Sequence, residues 1–168
     1  MSEINPKTGQ PDQEHQSGLD IAPDALLLRA RQRAADAGEP FAGLLYPQEA
    51  WALFKAGAAL LVDVRTDEEL KHIGRVPEAA HVVWKSGPDM VLNPHFVQQV
   101  EAIAPKDKTL LLLCRGGLRS ASAAHVLTEA GYANAFNILE GFEGELDGEQ
   151  RRGTFNGWRF RGLPWLQD

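Results

Sequence analysis

The chain has one cysteine, Cys114, among its 168 residues, so it cannot close an internal disulfide. That excludes the disulfide-stapled secreted scaffolds and suits a reducing compartment. Positive charge is in deficit: 17 Lys and Arg against 23 Asp and Glu leave a formal charge of −6. A protein built for nucleic acid needs a basic face, so no nucleic-acid partner is expected. No apolar run approaches the ~18 residues of a membrane helix, so no membrane partner is expected either. The stretch MSEINPKTGQPDQEHQSG has no basic opening and no apolar segment of about 7–15 residues, and does not read as a secretory signal. These absences point to the cytoplasm. The five histidines lack the i,i+4 spacing of a helical zinc site, and no metal is expected.

What is present is material for a core: 43% of the residues are hydrophobic, in a length that suits one domain with tails. Residues 1–20 are polar and punctuated by Pro6, Gly9, Pro11 and Gly18, and read as a disordered tail. Residues 21–43 form a helical extension that Pro23 and Asp24 open and Gly38 stops. Its period turns Leu27, Leu28 and Ala34 toward a core and its arginines toward water.

From residue 44 to 168, strand and helix alternate. Apolar runs at 59–64, 79–84, 109–113 and 135–139 read as strands. Between them, helices are expected at 47–57, 66–72, 94–104 and 119–130, with a further short one at 143–151. Strands apolar throughout, separated by helices, indicate an α/β parallel sheet covered on both faces. Ligands in such folds bind beyond the carboxyl ends of the strands. Residues 63–65, residues 84–86 and the Cys114 loop fall there.

The stretch LLLLCRGGLRSASAAHVL, residues 110–127, sets Cys114 between a strand and a helix. A strand–loop–helix turn aims backbone N–H groups and a helix dipole at an anion. Gly116 and Gly117 permit such a loop, and Arg115 and Arg119 add positive charge. Cys114 is therefore expected to stand as a thiolate at neutral pH, a nucleophile for an electrophilic or anionic substrate. A purely structural cysteine has no need of RGGLRS after it. Two other thiol chemistries compete. Cysteine phosphatases use Cys-x-x-x-x-x-Arg, whereas Arg119 is five residues after Cys114 and Ser120 takes the sixth place. A peroxidatic cycle would need a resolving thiol from elsewhere.

Several stretches, in order, resemble the rhodanese family of sulfurtransferases. They are LLVDVRTDEEL (60–70), GRVPEAAHV (74–82), CRGGLRS (114–120), NILEGFEG (137–144) and NGWRFRGLPW (156–165), together spanning about residues 44–166. The resemblance implies a doubly wound sheet of five parallel strands. It implies a six-residue active-site loop from Cys114 through Arg115, Gly116, Gly117, Leu118 and Arg119. It implies a sulfane sulfur carried on Cys114 as a persulfide, from thiosulfate or a similar donor to a thiol, a protein thiol included, or to cyanide. No cofactor is implied. Binding modules of the same fold usually lack the cysteine, and loop length disfavours a small phosphatase or arsenate reductase on that fold.

Around the loop, the resemblance assigns Asp63 and Arg65 to bracing it, with direct substrate contact as the alternative. Arg119 either binds the anionic donor or caps the pocket. Arg115 points outward and steers anions, Ser120 caps the following helix, and Trp84 and Lys85 line the pocket rim. The chain departs from the family pattern at Arg75 and Glu78, where histidine and glycine are usual, and in the segment LDGEQRRGTFNG before Trp158. This insertion, residues 145–157, could form a lid or a docking surface.

Overall fold

The computed structural model describes residues 21–168; the tail expected at 1–20 lies outside the described residues. The elements, in chain order, are α1 (Pro23–Ala37), β1 (Gly43–Leu45), α2 (Pro47–Lys55), β2 (Leu60–Asp63), α3 (Asp67–His72) and β3 (Ala80–His81). Then follow β4 (Lys85–Ser86), β5 (Val91–Leu92), α4 (Phe96–Glu101), β6 (Leu110–Leu113), α5 (Leu118–Glu129) and β7 (Ala135–Ile138). Five strands form one sheet in the order β1-β7-β6-β2-β3, with every pairing parallel. The fifth strand, β1, is too short to stand out in the sequence pattern.

Strand periodicity divides the core into two. Val62, Leu110, Leu112 and Ala135 face one way and pack on Phe96, Val100, Ala123 and Leu127 of α4 and α5. Leu61, Leu111, Leu113, Phe136 and Ile138 face the other way and pack on Leu26, Ala30, Ala50 and Leu53 of α1 and α2. Because side chains alternate along a strand, Cys114 continues the 110, 112 series. Its sulfur therefore falls on the α5 side, and Cys114 belongs to that cluster.

The sheet order places the crevice. β2 and β6 are neighbours, paired Asp63 to Leu113 at their carboxyl ends. The chain leaves β2 toward one edge, β3, and leaves β6 toward the other side, β7. Ligands bind at such a switch point. Here it juxtaposes residues 63–65 and the Cys114 loop.

Four local expectations need correction. In α1, Leu26, Ala30 and Ala34 are the buried positions, and Leu28 is 70% exposed. The helix is rotated from the expected face because Ala30 lies over Gly43, whose missing Cβ would fall 2.9 Å from the Ala30 carbonyl carbon. Not all its arginines face water: Arg33 makes a bidentate pair with the buried Glu49 at 2.7 and 2.9 Å. The apolar run at 79–84 contributes only Ala80 and His81 to the sheet. Beyond them, Val82 and Trp84 still bond Asp63 and Val64, but the chain then turns into the β4–β5 hairpin. Finally, residues 143–151 form turns rather than a helix.

The two departures from the family pattern lie together away from the crevice. Glu78 takes φ of 64°, a left-handed conformation that explains why glycine suits that position. Arg75 exchanges backbone hydrogen bonds with Leu166 and binds Asp168 through its side chain at 2.6 Å, tying down the C-terminal segment. Of the tryptophans, Trp158 is fully buried with Trp51 edge-on to it, and Trp165 stands edge-on to Phe142.

Candidate active site

Cys114 directly follows β6 and is 1% exposed, on the floor of a cavity of about 430 Å³. Its Sγ accepts a hydrogen bond from the Gly117 N–H at 3.1 Å. Gly117 adopts φ of 106°, which turns the chain into α5 and aims that N–H back at the sulfur. The next N–H groups, at the first turn of α5, have no intrahelical carbonyl, as at any helix start.

Ser120 does not cap α5. The helix begins at Leu118 with Gly117 as its cap residue, so Ser120 already lies inside the first turn. There its buried hydroxyl sits 3.1 Å from Cys114 Sγ. The direction of this contact follows from its neighbours. Asn137, on β7, donates its amide nitrogen to the Gly117 carbonyl at 3.1 Å. A carbonyl only accepts, so the other end of that amide is the oxygen, and it accepts the Ser120 proton at 2.5 Å. When the sulfur carries a proton, it then donates to Ser120 Oγ. When the sulfur is anionic, the hydroxyl can turn and donate to it, and charged acceptors hold such bonds more strongly. Asn137 was not singled out by the sequence, because a polar residue in an apolar strand shows no partner until the fold supplies one.

Asp63 and Arg65 act as a brace. Arg65 is fully buried and binds Asp63 through Nε at 3.0 Å and through a terminal nitrogen at 2.7 Å. The same terminal nitrogen reaches the Gly74 carbonyl at 2.8 Å, and the guanidinium lies over the Phe142 ring at 4.3 Å. Phe142 in turn donates its N–H to the Cys114 carbonyl at 2.8 Å. The brace thus runs from the end of β2 to the cysteine peptide, and neither residue lines the cavity.

Arg119 is held by Glu69 in a bidentate pair at 2.7 and 2.8 Å. The Glu69 hydrogen bond raises the Arg119 pKa above its ordinary value against the effect of burial. For Glu69, burial pushes the carboxyl up, but the Arg119 hydrogen bonds and charge, with the Thr66 N–H, outweigh it and leave the pKa below the usual carboxylate range. The side chain walls the cavity with most of its charge already matched. Arg115 is exposed and Leu118 is 86% exposed, both at the mouth, and Gly116 completes the lining.

Trp84 is not at the rim. It is 6% exposed and packs on Phe96 with ring centroids 4.9 Å apart, while the adjacent Lys85 does line the cavity. Trp84 lies just before β4, and burial of its indole on Phe96 leaves Lys85 to face the cavity.

The insertion carries residues that reasoning from motifs did not find. Asp147 organises it, accepting from the Glu149 and Arg151 N–H groups and from the Thr154 hydroxyl. Its pKa lies below the usual range, chiefly through the Thr154 hydrogen bond. The loop so formed brings Glu145, Leu146 and Arg152 to the cavity.

A doubly wound parallel sheet with a cysteine loop at its switch point, backed by a glycine turn, defines the class. The sequence profile of the rhodanese-like domain matches residues 46–145, and the chain belongs to that family. A crystal structure of Rv0390 from M. tuberculosis is 40% identical, with a TM-score of 0.68 over 76% of this chain and 99% of that one. The uncharacterized protein RP600 of Rickettsia prowazekii is 36% identical over 111 residues, which is 64% of this chain and 82% of its own length. The thiosulfate sulfurtransferase GlpE of Haemophilus influenzae is 32% identical over 98 residues, 58% of this chain and 82% of its own length.

Two outcomes follow from the site. Glu69 has a depressed folded-state pKa, so its contribution to stability is complete above the unfolded carboxyl pKa of about 4.3 and is lost as pH falls through the lower folded value. Glu69→Gln should therefore lower Tm at neutral pH, and the gap to the wild type should close in acid; a gap that persists undiminished at about pH 3 contradicts the pairing. Ser120→Ala should slow alkylation of Cys114 by iodoacetamide at neutral pH about fivefold, the effect of one hydrogen bond worth about 1 kcal/mol. An unchanged or faster rate would show that the hydroxyl does not support the anionic sulfur.

Proposed function

We propose that this chain is a sulfurtransferase that carries a sulfane sulfur on Cys114. The observation that carries the reading is the seat of the sulfur. The sole cysteine lies at the floor of a cavity at the switch point, with the Gly117 N–H and Ser120 hydroxyl on Sγ. Membership of the rhodanese-like family and the likeness to a thiosulfate sulfurtransferase support it.

In the first half-reaction the Cys114 thiolate attacks the outer sulfur of a donor such as thiosulfate. A Cys114 S–S bond forms, the donor's S–S bond breaks, and its electron pair leaves on sulfite. In the second, an acceptor thiolate or cyanide attacks the terminal sulfur and the pair returns to Cys114 Sγ. One S–S bond replaces another when a thiol accepts, so no oxidant is needed. The loop N–H and the Ser120 hydroxyl hold the sulfur anion in place without protonating it. Lys85 and Arg115 at the mouth attract anionic donors to a protein that is acidic overall.

No helix among the described residues is long and apolar enough to cross a membrane. With a single thiol that must stay reduced, we place the activity in the cytoplasm. A phosphatase reading is weaker because the cysteine-to-arginine spacing is one residue short and Arg119 is matched by Glu69. A docking module has no use for a cysteine so carefully seated.

Incubation with thiosulfate should add one sulfur atom to the intact mass of the wild type, removable by a thiol, and none to Cys114→Ser. Thiocyanate should form when cyanide is supplied. No added sulfur from thiosulfate, mercaptopyruvate or a glutathione persulfide would end this reading.

A further inference from the structure

The insertion places a third arginine at the mouth that the loop motif does not contain. The Arg152 guanidinium lies close against the loop: a Cβ added at Gly116 would fall 2.7 Å from its Nη1. The same Nη1 donates to the Gly144 carbonyl at 2.8 Å, and no carboxylate lies within ion-pair distance of Arg152 among the described residues. Burial first, and then the charge of Arg115, push its pKa below the ordinary value. The charge of Glu143 opposes that shift, but Glu143 pairs with Arg159 and Glu145 accepts from Asn156, so neither takes Arg152 as its partner. Arg119 cannot share its partner, since both terminal nitrogens are on Glu69.

The space around Arg152 is larger than a small inorganic anion requires. The cavity over Cys114 measures about 430 Å³. A second, of about 600 Å³, adjoins it, and Met90, Arg115, Arg119 and Arg152 line both. Cavities of this size hold drug-sized ligands. The walls are mixed. Met90, Leu118 and Leu146 present apolar surface at 41, 86 and 52% exposure, and the cations Lys85, Arg115 and Arg152 outnumber the one carboxylate, Glu145, which Asn156 engages. An organic ligand with an anionic group suits such a lining better than a compact, fully hydrated dianion does.

We propose that Arg152, with Arg115 and Lys85, forms a carboxylate subsite, and that the sulfur carrier served by Cys114 is the persulfide of a carboxylate-bearing, low-molecular-mass thiol. This rests on the sulfur-transfer reading above and specifies its substrate class. The Cys114 thiolate attacks the sulfane sulfur of the carrier persulfide. The carrier's S–S bond breaks, and the electron pair leaves on the carrier thiolate, which takes a proton from solvent. The carboxylate on Arg152 holds the carrier in the groove while only the terminal sulfur reaches Cys114. The insertion is thus a specificity element of the site.

The test uses the full chain and two readouts. In the first, S-methylglutathione and its dimethyl ester are titrated calorimetrically into Cys114→Ser protein. The acid should bind and the ester should bind far more weakly. Adding Arg152→Gln should raise the Kd of the acid about tenfold, equivalent to ~1.4 kcal/mol, and leave the ester unchanged. Arg152→Lys should recover part of the loss, and unchanged Tm values would show that the loop is intact. Equal binding of acid and ester, or a Kd indifferent to Arg152, overturns the subsite.

In the second readout, the rate of sulfur loading onto Cys114 is followed by intact mass with glutathione persulfide and with thiosulfate. Arg152→Gln should raise half-saturation for the persulfide about tenfold, with its limiting rate kept and thiosulfate changed little. An equal loss with thiosulfate would assign Arg152 to sulfonate oxygens and overturn the organic carrier. If neither donor loads Cys114 while acid binding still depends on Arg152, the subsite stands and the sulfur-transfer reading fails.

Discussion

The site depends on how closely one glycine approaches one peptide bond. A Cβ on Gly141 would sit 2.4 Å from the carbonyl carbon and oxygen of Arg115 and 2.5 Å from the Gly116 nitrogen, and Gly141 itself has φ of 69°. No other residue fits there without moving backbone. Because the two segments touch, Phe142 and Glu143 donate their N–H groups to the Cys114 and Arg115 carbonyls at 2.8 and 3.0 Å. With those carbonyls held on the far side, the Gly117 N–H is left to face the sulfur. The Arg65 brace over Phe142 and the Trp158 N–H on the Gly141 carbonyl fix the same segment from behind.

Charge is organised in two layers around that frame. Ion pairs with fixed geometry lie inside: Asp63 with Arg65, Glu69 with Arg119, and Glu140 with Arg161 at 3.0 Å. Removing one member of a buried pair leaves an uncompensated charge, so these residues serve the scaffold. Lys85, Arg115 and Arg152, which have no carboxylate partner among the described residues, remain at the mouth, and they are the ones a substrate can use. The formal charge of −6 for the whole chain conceals this local excess. Glu140 also anchors the returning end of the insertion, accepting the Gly157 N–H at 2.9 Å.

The alternation of apolar strands and helices was legible in the sequence, and so was the place of the Cys114 loop between a strand and a helix, because period and glycine placement agreed there. What could not be read depends on three-dimensional neighbours. Trp84 and Lys85 occupy adjacent positions, and only the packing of Phe96 decides that the indole goes inside. Ser120 looks like a helix cap in the sequence, yet Gly117 starts the helix early and leaves the Ser120 oxygen beside the sulfur. The rotation of α1 follows from the bare backbone of Gly43. The insertion lacks hydrophobic period altogether, so its use as a carrier of Arg152 is visible only once Asp147 has shaped it.

The central claim is that this frame holds an anionic sulfur on Cys114. A crystal structure of the full chain after brief exposure to a sulfur donor tests it most directly. The account predicts density for one added sulfur bonded to Cys114 Sγ, within hydrogen-bond reach of loop N–H groups and lying in the cavity below Arg152. An unmodified or oxygen-bearing Cys114 beside density for intact donor would contradict it.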